Sequence, residues 1–129
     1  MFMSEATTRA VRVSVISEYA PDRSRPTDQQ WFFLYTITIA NGGEDTIQLL
    51  SRHWFITDAT GHVEEVHGPG VVGEQPVLAP GEEYTYTSGA TLRTSFGTME
   101  GTYDMVNAAG TPFEVTIPKF TLSEPYTVH

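Results

Sequence analysis

The sequence predicts an all-β domain, a sandwich or a barrel of about seven to nine short, mostly antiparallel strands. Apolar and polar residues alternate over several short segments, as they do in strands that are buried on one side. Glycine, proline and asparagine separate these segments at intervals of about 8–12 residues, and no segment of about ten residues has a helical period. At 129 residues, 40% of them hydrophobic, the chain is expected to form one domain with a substantial core.

The first predicted strands lie in the N-terminal third of the chain. Residues 10–19 alternate around Val11, Val13 and Val15, and a loop with two prolines and two arginines follows over residues 21–26. Residues 30–40 have the clearest pattern, because five large apolar residues share one face: Trp31, Phe33, Tyr35, Ile37 and Ile39. Asn41-Gly42-Gly43 then predicts a turn.

The middle of the chain predicts two further strands. Residues 47–57 form a long strand in which paired apolar residues indicate a bulge near Ser51-Arg52. The segment Asp58-Ala59-Thr60-Gly61 predicts a turn into a short strand over residues 62–66.

The C-terminal half predicts a turn and a hairpin. Ala79-Pro80-Gly81-Glu82 is typical of a tight turn, and Tyr84 and Tyr86 share a face of the strand that follows. Residues 97–106 and 113–117 alternate cleanly on either side of Asn107-Ala108-Ala109-Gly110, which predicts a hairpin.

One detail favours an immunoglobulin-like sandwich over a barrel. Tyr103 lies two residues before an inward position, Met105, which is the pattern of a tyrosine corner, and Trp54 is placed to supply a central aromatic. An ordinary core tyrosine at position 103 is the alternative.

Composition and charge narrow the class of protein. There is no cysteine, which excludes disulfides and a thiol nucleophile. The net charge is −9, from seven basic and sixteen acidic residues, so nucleic acid and anionic membranes are unfavourable partners, whereas a cation or a basic protein surface is compatible. With no visible signal peptide or apolar span, we expect a soluble cytoplasmic protein without membrane insertion.

A glycine-rich segment contains the pattern G-x-G-x-x-G at Gly68, Gly70 and Gly73. A dinucleotide site of this type needs a helix directly after the glycines, with its N-terminus toward the phosphate. Pro76 and Pro80 follow too closely for such a helix. The segment therefore predicts a loop in which glycines permit sharp turns.

The chain resembles the ApaG family from about residue 11 to residue 122. The segments that carry the resemblance are Leu49-Leu50-Ser51-Arg52-His53-Trp54, Gly70-Val71-Val72-Gly73-Glu74-Gln75-Pro76-Val77-Leu78, Tyr86-Thr87-Ser88-Gly89, Gly97-Thr98-Met99-Glu100-Gly101 and Ile117-Pro118-Lys119-Phe120. The resemblance implies a fibronectin-III-like or immunoglobulin-like β-sandwich, an association with cobalt resistance and magnesium efflux, and a role in protein binding with no known enzymatic activity.

On this basis the domain organisation is predicted in three parts. Residues 10–124 form a single ApaG domain, residues 1–9 a flexible N-terminal segment and residues 125–129 a C-terminal tail.

The same resemblance makes the glycine segment a candidate pyrophosphate site, with Gly68, Gly70, Gly73 and Glu74 as ligand-binding residues. Against it, Pro69 lacks an N–H donor and the neighbouring glutamates repel phosphate unless a divalent cation bridges them.

Metal binding is a second hypothesis, with His53, His62, His67, Glu64 and Glu65 as the candidate residues. His62 and His67 are five residues apart and face opposite sides of a regular strand, whereas His62 and Glu64 share a face. This pair is a weak candidate, and neither a high-affinity metal site nor a cofactor is expected.

Catalysis is not expected from the motifs present. Ser51 and His53 share a face but have no evident orienting acid or oxyanion hole. We expect Arg52 to hydrogen-bond to a neighbouring loop and Trp54 to fill the core.

The remaining function is that of a binding module. Phe32 and Leu34 lie opposite the apolar face of their strand, which makes them candidate interface residues unless loops cover them. The sequence thus predicts a non-enzymatic domain that acts through a protein partner, with an exposed edge strand leaving a homodimer open. The alternative is a weak polyphosphate or divalent-cation sensor that uses residues 68–74.

Overall fold

The computed structural model describes residues 1–125, and this part of the chain contains nine strands and two short 3-10 turns, Pro21–Arg23 and Pro26–Asp28, but no α-helix. The strands are β1 (Phe2–Thr8), β2 (Val11–Tyr19), β3 (Trp31–Asn41), β4 (Ile47–Asp58), β5 (Val63–Pro69), β6 (Val77–Leu78), β7 (Glu83–Leu92), β8 (Phe96–Asn107) and β9 (Pro112–Ser123). Residues 1–125 include no helical segment that could span a lipid bilayer.

The strands form two antiparallel sheets. The first sheet has the order β1-β2-β3-β7, and the second has the order β5-β4-β8-β9 with β6 paired to β4. Their inner faces enclose one apolar core, so the predicted all-β sandwich is confirmed. The immunoglobulin-like or fibronectin-III-like assignment stays a prediction.

The inner face of β3 is the centre of the first sheet. Phe33, Ile37 and Ile39 are fully buried and Tyr35 is 6% exposed, which confirms the predicted core face of this strand. Trp31, at the beginning of β3, is only half-buried, and its indole N–H donates a hydrogen bond to Glu124 Oε2 at 2.8 Å.

A bulge in β4 keeps two core residues on the same side of the second sheet. Leu49 and Trp54 are both buried although they are five positions apart, and in a regular strand they would face opposite sides. The register against β8 shifts between Leu49 and Ser51, one residue earlier than the sequence predicts. The extra residue of the bulge reverses the alternation of side chains, so that Trp54 faces the core as Leu49 does.

The N-terminal residues belong to the fold, which corrects the prediction of a flexible segment over residues 1–9. Residues 2–8 form β1, pair with β2 along its whole length and contact β9. The half-buried residues of β1 are small or polar, namely Ser4, Ala6 and Thr8, so the apolar alternation that marks the other strands is missing. Of the predicted tail over residues 125–129, residues 126–129 lie outside the described part of the chain.

Tyr103 pairs with a tyrosine of the opposite sheet. It is fully buried on β8, and its hydroxyl hydrogen-bonds to the hydroxyl of Tyr86 on β7. A tyrosine corner bonds to backbone a few residues upstream. The hydroxyl of Tyr103 instead bonds to a side chain, so Tyr103 is a core tyrosine, the alternative given above, and it links the two sheets.

We expect Tyr103→Phe to lower the free energy of unfolding by about 1–3 kcal/mol, because it leaves the Tyr86 hydroxyl buried without its partner. Tyr86→Phe should have a similar effect, and the double variant should lose less than the sum. Urea unfolding of the four proteins measures this coupling. Strictly additive losses would contradict the paired arrangement.

The same pair predicts a dependence of stability on pH. Burial raises the pKa of both Tyr86 and Tyr103. The folded protein therefore keeps protons that the unfolded chain releases above about pH 10, and the contribution of the pair falls as the pH rises beyond that value. The Tyr86→Phe/Tyr103→Phe variant should show a smaller decline between pH 9 and pH 11.

Candidate functional site

The glycine-rich segment ends β5 and closes in a two-residue turn. The Val71 N–H donates to the Glu74 carbonyl at 2.8 Å, and the Glu74 N–H donates back to Val71 at 2.9 Å. Val72 and Gly73 between them both have positive φ, 43° and 82°, as in the turns that close tight β-hairpins. Val71 is completely buried and anchors the turn in the core.

Arg52 holds the first part of this segment. Its Nη1 donates hydrogen bonds to the carbonyl oxygens of Pro69, at 3.0 Å, and Gly70, at 2.9 Å. This confirms the prediction that Arg52 hydrogen-bonds to a neighbouring loop. The guanidinium also lies against Gly68, where a β-carbon would come within 2.8 Å of it. Glycine at position 68 therefore leaves the space that Arg52 occupies.

Position 70 favours glycine for a separate structural reason. Its φ is +60°, a β-carbon there would collide with the Glu74 carbonyl, and its N–H donates to the Leu50 carbonyl at 2.8 Å. Such a position strongly favours glycine. The segment is thus shaped by its own hydrogen bonds and by Arg52.

Few N–H donors of the segment are free to meet a phosphate. The N–H groups of Gly70, Val71 and Glu74 are used inside the protein, and Pro69 has none. A phosphate nest needs several successive N–H groups that point into one concavity. The geometry favours a structural turn, and a ligand role for Gly68, Gly70, Gly73 and Glu74 stays a prediction.

A polar groove lies beside this turn, between the edge strands β5 and β7 of the two sheets. Its volume is about 380 Å³, and Arg52, Glu64, Tyr35 and Ser88 are among the residues that line it. Burial raises the pKa of Tyr35, and the Ser88 hydroxyl and the Arg52 guanidinium offset part of that rise. Tyr35 therefore lines the groove as a neutral hydroxyl over the physiological pH range.

The weak metal candidates His62 and Glu64 are both exposed and line the same open depression of about 710 Å³. His62 precedes β5, and its backbone N–H donates to Asp58 Oδ1 at 3.1 Å in the turn.

The group of potential metal ligands that the described residues bring together is a different one: His53, Glu65 and His67. All three are among the candidate metal ligands of the sequence, but their proximity depends on the register between β4 and β5, which sequence spacing does not give. Antiparallel pairing places His53 directly opposite His67.

The outer face of the first sheet carries an apolar patch that contains both candidate interface residues. We call Met3, Ile16, Phe32 and Leu34 the outer apolar patch. Met3 pairs with Ile16 across β1 and β2, and Leu34 pairs with Glu18 across β2 and β3, so all four side chains lie on one face. Met3 is 75% and Ile16 39% exposed, while Phe32 and Leu34 are half-buried.

Phe32 shows why part of this patch is covered. Its ring lies over Gly89 of β7, where a β-carbon would collide with it, and Arg23 stands 5.7 Å from the ring centre. The loop that carries Arg23 therefore shields Phe32 in part but leaves the patch open toward Ile16 and Met3.

The chain is similar to known proteins over nearly its whole length. The sequence model of the ApaG domain (DUF525) matches residues 21–107. Protein ApaG of Afipia carboxidovorans is 54% identical over 123 residues, which is 95% of each chain. Protein ApaG of Azoarcus sp. strain BH72 is 50% identical over 127 residues, covering 98% of this chain and all of that one. A crystal structure of an ApaA protein from Bordetella pertussis is 52% identical, with a TM-score of 0.87 over 91% of this chain and 95% of its own.

Proposed function

This chain belongs to the ApaG domain family, and on that premise we propose that it is a non-catalytic protein-binding domain that supports cobalt resistance and magnesium efflux through a protein partner. The names of the family and of its relatives specify no reaction. The observation that carries the binding role is the outer apolar patch, and the link to cobalt and magnesium is what the family resemblance implies.

The patch has the properties of a contact surface rather than of a core. Four apolar side chains from three adjacent strands share one face of the first sheet, with Met3 and Ile16 the most exposed among them. When a partner covers contiguous apolar side chains, their removal from water favours binding. Val63, at 49% exposure on the other sheet, is instead paired with the polar residue Thr57.

Charge narrows the kind of partner. Glu18 lies beside Leu34 in the register, Glu5 follows Met3 on the same face, and the chain as a whole has a net charge of −9. A partner segment with apolar residues flanked by lysine or arginine would match both the patch and its surroundings. Nucleic acid remains an unfavourable partner for the same charge.

The alternative function, a weak polyphosphate or divalent-cation sensor on residues 68–74, has less support. Three N–H groups of that segment are already engaged within the protein, and the Nη1 atom of Arg52 is turned to carbonyl oxygens. Titration with Mg²⁺ and a dinucleoside polyphosphate, followed by amide NMR, separates the two functions: saturable shifts confined to residues 68–74 would favour the sensor.

The test uses the cobalt tolerance of a bacterium that lacks its own ApaG protein. We expect the wild-type chain to restore growth in cobalt and Leu34→Lys to return the inhibitory concentration to that of the deletion strain. Lysine at position 34 faces Glu18, so the sheet itself gains an opposite-charge pair and should remain folded. Urea unfolding and protein abundance in the cell establish that it does.

Val63→Lys is the matched control, since Val63 is an exposed apolar residue on a strand of the other sheet. It should restore tolerance fully. A photo-crosslinking residue at position 34 should trap one partner that position 63 does not. Full restoration by Leu34→Lys would contradict the proposed surface, and trapping of a second copy would identify the partner as the protein itself.

A further inference from the structure

We propose that His53, Glu65 and His67 form a binding site for a divalent transition-metal ion on the outer face of the second sheet. The site is independent of the proposed partner surface, which lies on the first sheet.

Strand pairing brings the three side chains together. β4 and β5 run antiparallel with His53 opposite His67, and Glu65 is two residues before His67, so it shares the same face. The neighbouring residues Trp54 and Val66 point the other way, toward the core, which directs the histidines outward. Three residues that are distant or unremarkable in sequence thus become one cluster.

The distances are close to those of a metal centre. One possible ligand atom from each residue lies within 4.8 Å of the others. The two imidazole rings stack with their centres 3.6 Å apart, and His53 Nε2 is 3.5 Å from Glu65 Oε1. Ligand atoms that are each about 2.0–2.2 Å from one ion stand about 3–4 Å apart. An imidazole nitrogen binds a metal in the plane of its own ring, so the two stacked rings must tilt toward a common point before all three atoms can bind one ion.

A second observation concerns the hydrogen bonding of His53 Nε2. His53 Nε2 is buried and has no hydrogen-bond partner among the described residues. Buried polar atoms are nearly always paired, because an unpaired one has lost its water without replacement. Ligation of an ion would satisfy this nitrogen. The imidazole is also held in place by Phe55, whose ring centre is 4.4 Å away.

The ligand set selects the class of metal. Two imidazoles and one carboxylate suit borderline divalent ions such as Zn²⁺ or Ni²⁺, whereas Mg²⁺ prefers oxygen ligands in octahedral geometry. The Glu65 side chain is 56% exposed, which leaves the site open to solvent and gives a bound ion room for water ligands.

Isothermal titration calorimetry of chelator-treated protein with Zn²⁺ tests the proposal. We expect one ion per chain, and we expect His67→Ala and Glu65→Gln each to weaken the affinity at least tenfold. Both residues are exposed, so these variants should fold, which circular dichroism checks. Mg²⁺ in place of Zn²⁺ should give no saturable heat.

His62→Ala is the matched control, because His62 is another exposed histidine near β5 that lies outside the cluster. It should leave the affinity unchanged. Anomalous diffraction from a zinc-soaked crystal should place the ion between His53 and His67. The proposal is overturned if Zn²⁺ does not bind at one ion per chain, or if His62→Ala weakens binding as much as His67→Ala does. The contact between His53 Nε2 and Glu65 Oε1 would then have a structural role only.

Discussion

Replacing Gly101 with alanine is expected to lower the free energy of unfolding by on the order of 3 kcal/mol or to prevent folding. Gly101 lies in β8 directly opposite Trp54, next to the register shift between β8 and β9. A β-carbon at this position would collide with the carbonyl group of His53 in the adjacent strand. Because that neighbour is backbone within the centre of a sheet, it has no rotamer change by which to move away.

Gly43→Ala serves as the comparison for Gly101→Ala. A β-carbon at position 43 would meet the Asn41 side chain at 3.4 Å, an ordinary contact, and the backbone there does not need positive φ. We expect a change within about 0.5 kcal/mol. Urea unfolding followed by tryptophan fluorescence measures both variants. Similar losses of stability at the two positions would mean that the close contact between Gly101 and the His53 carbonyl does not require glycine.

Trp54→Ala is expected to lower the free energy of unfolding by about 3–5 kcal/mol, because it removes a large buried ring and leaves a cavity. Trp54 is 3% exposed, and its ring packs edge-on against Tyr35 of the first sheet and Phe120 of β9, with ring centres 5.6 Å and 5.8 Å away. These three rings join both sheets at one point. The variant should therefore lose cooperativity between the sheets as well as stability.

Phe96→Ala is the control for loss of an aromatic ring. Phe96 is 53% exposed at the beginning of β8, so we expect a change within about 0.5 kcal/mol. Near-ultraviolet circular dichroism should change strongly only for Trp54→Ala. A Trp54→Ala protein as stable as the wild type would show that the core refills the cavity without cost.

The strands that could be predicted from the sequence are those with large apolar residues at every second position. β3 is the clearest case, since its inner residues from Trp31 to Ile39 are all aromatic or β-branched, and only Asn41 at its end is polar. β1 was missed because its inner positions hold serine, alanine and threonine, which a loop would hold equally well. The end of β9 was missed because Ile117 and Phe120 are both buried although three residues apart, and only a bulge opposite Gly101 explains that spacing.

The sequence predicts those features of the candidate sites that depend on residues next to each other in the chain. The loop character of residues 68–74 follows from glycines and prolines within the segment itself. The pairing of His53 with His67 depends on which residues of β4 and β5 face each other, and a shift of one residue would place the two rings on opposite faces. Sequence spacing alone carries no information on that register.

The position of β9 also sets a limit on how this domain can be transplanted. β9 supplies Val115, Ile117, Phe120 and Leu122 to the core, and β2 supplies three buried valines, yet both strands lie outside the shared family segment of residues 21–107. A fusion protein that contained only residues 21–107 would lack β1, β2 and β9. β3 and β8 would then become unpaired edge strands, and the core would be exposed to solvent. Boundaries for grafting this domain onto another protein therefore belong outside β1 and β9, beyond residues 21–107, which the family model matches.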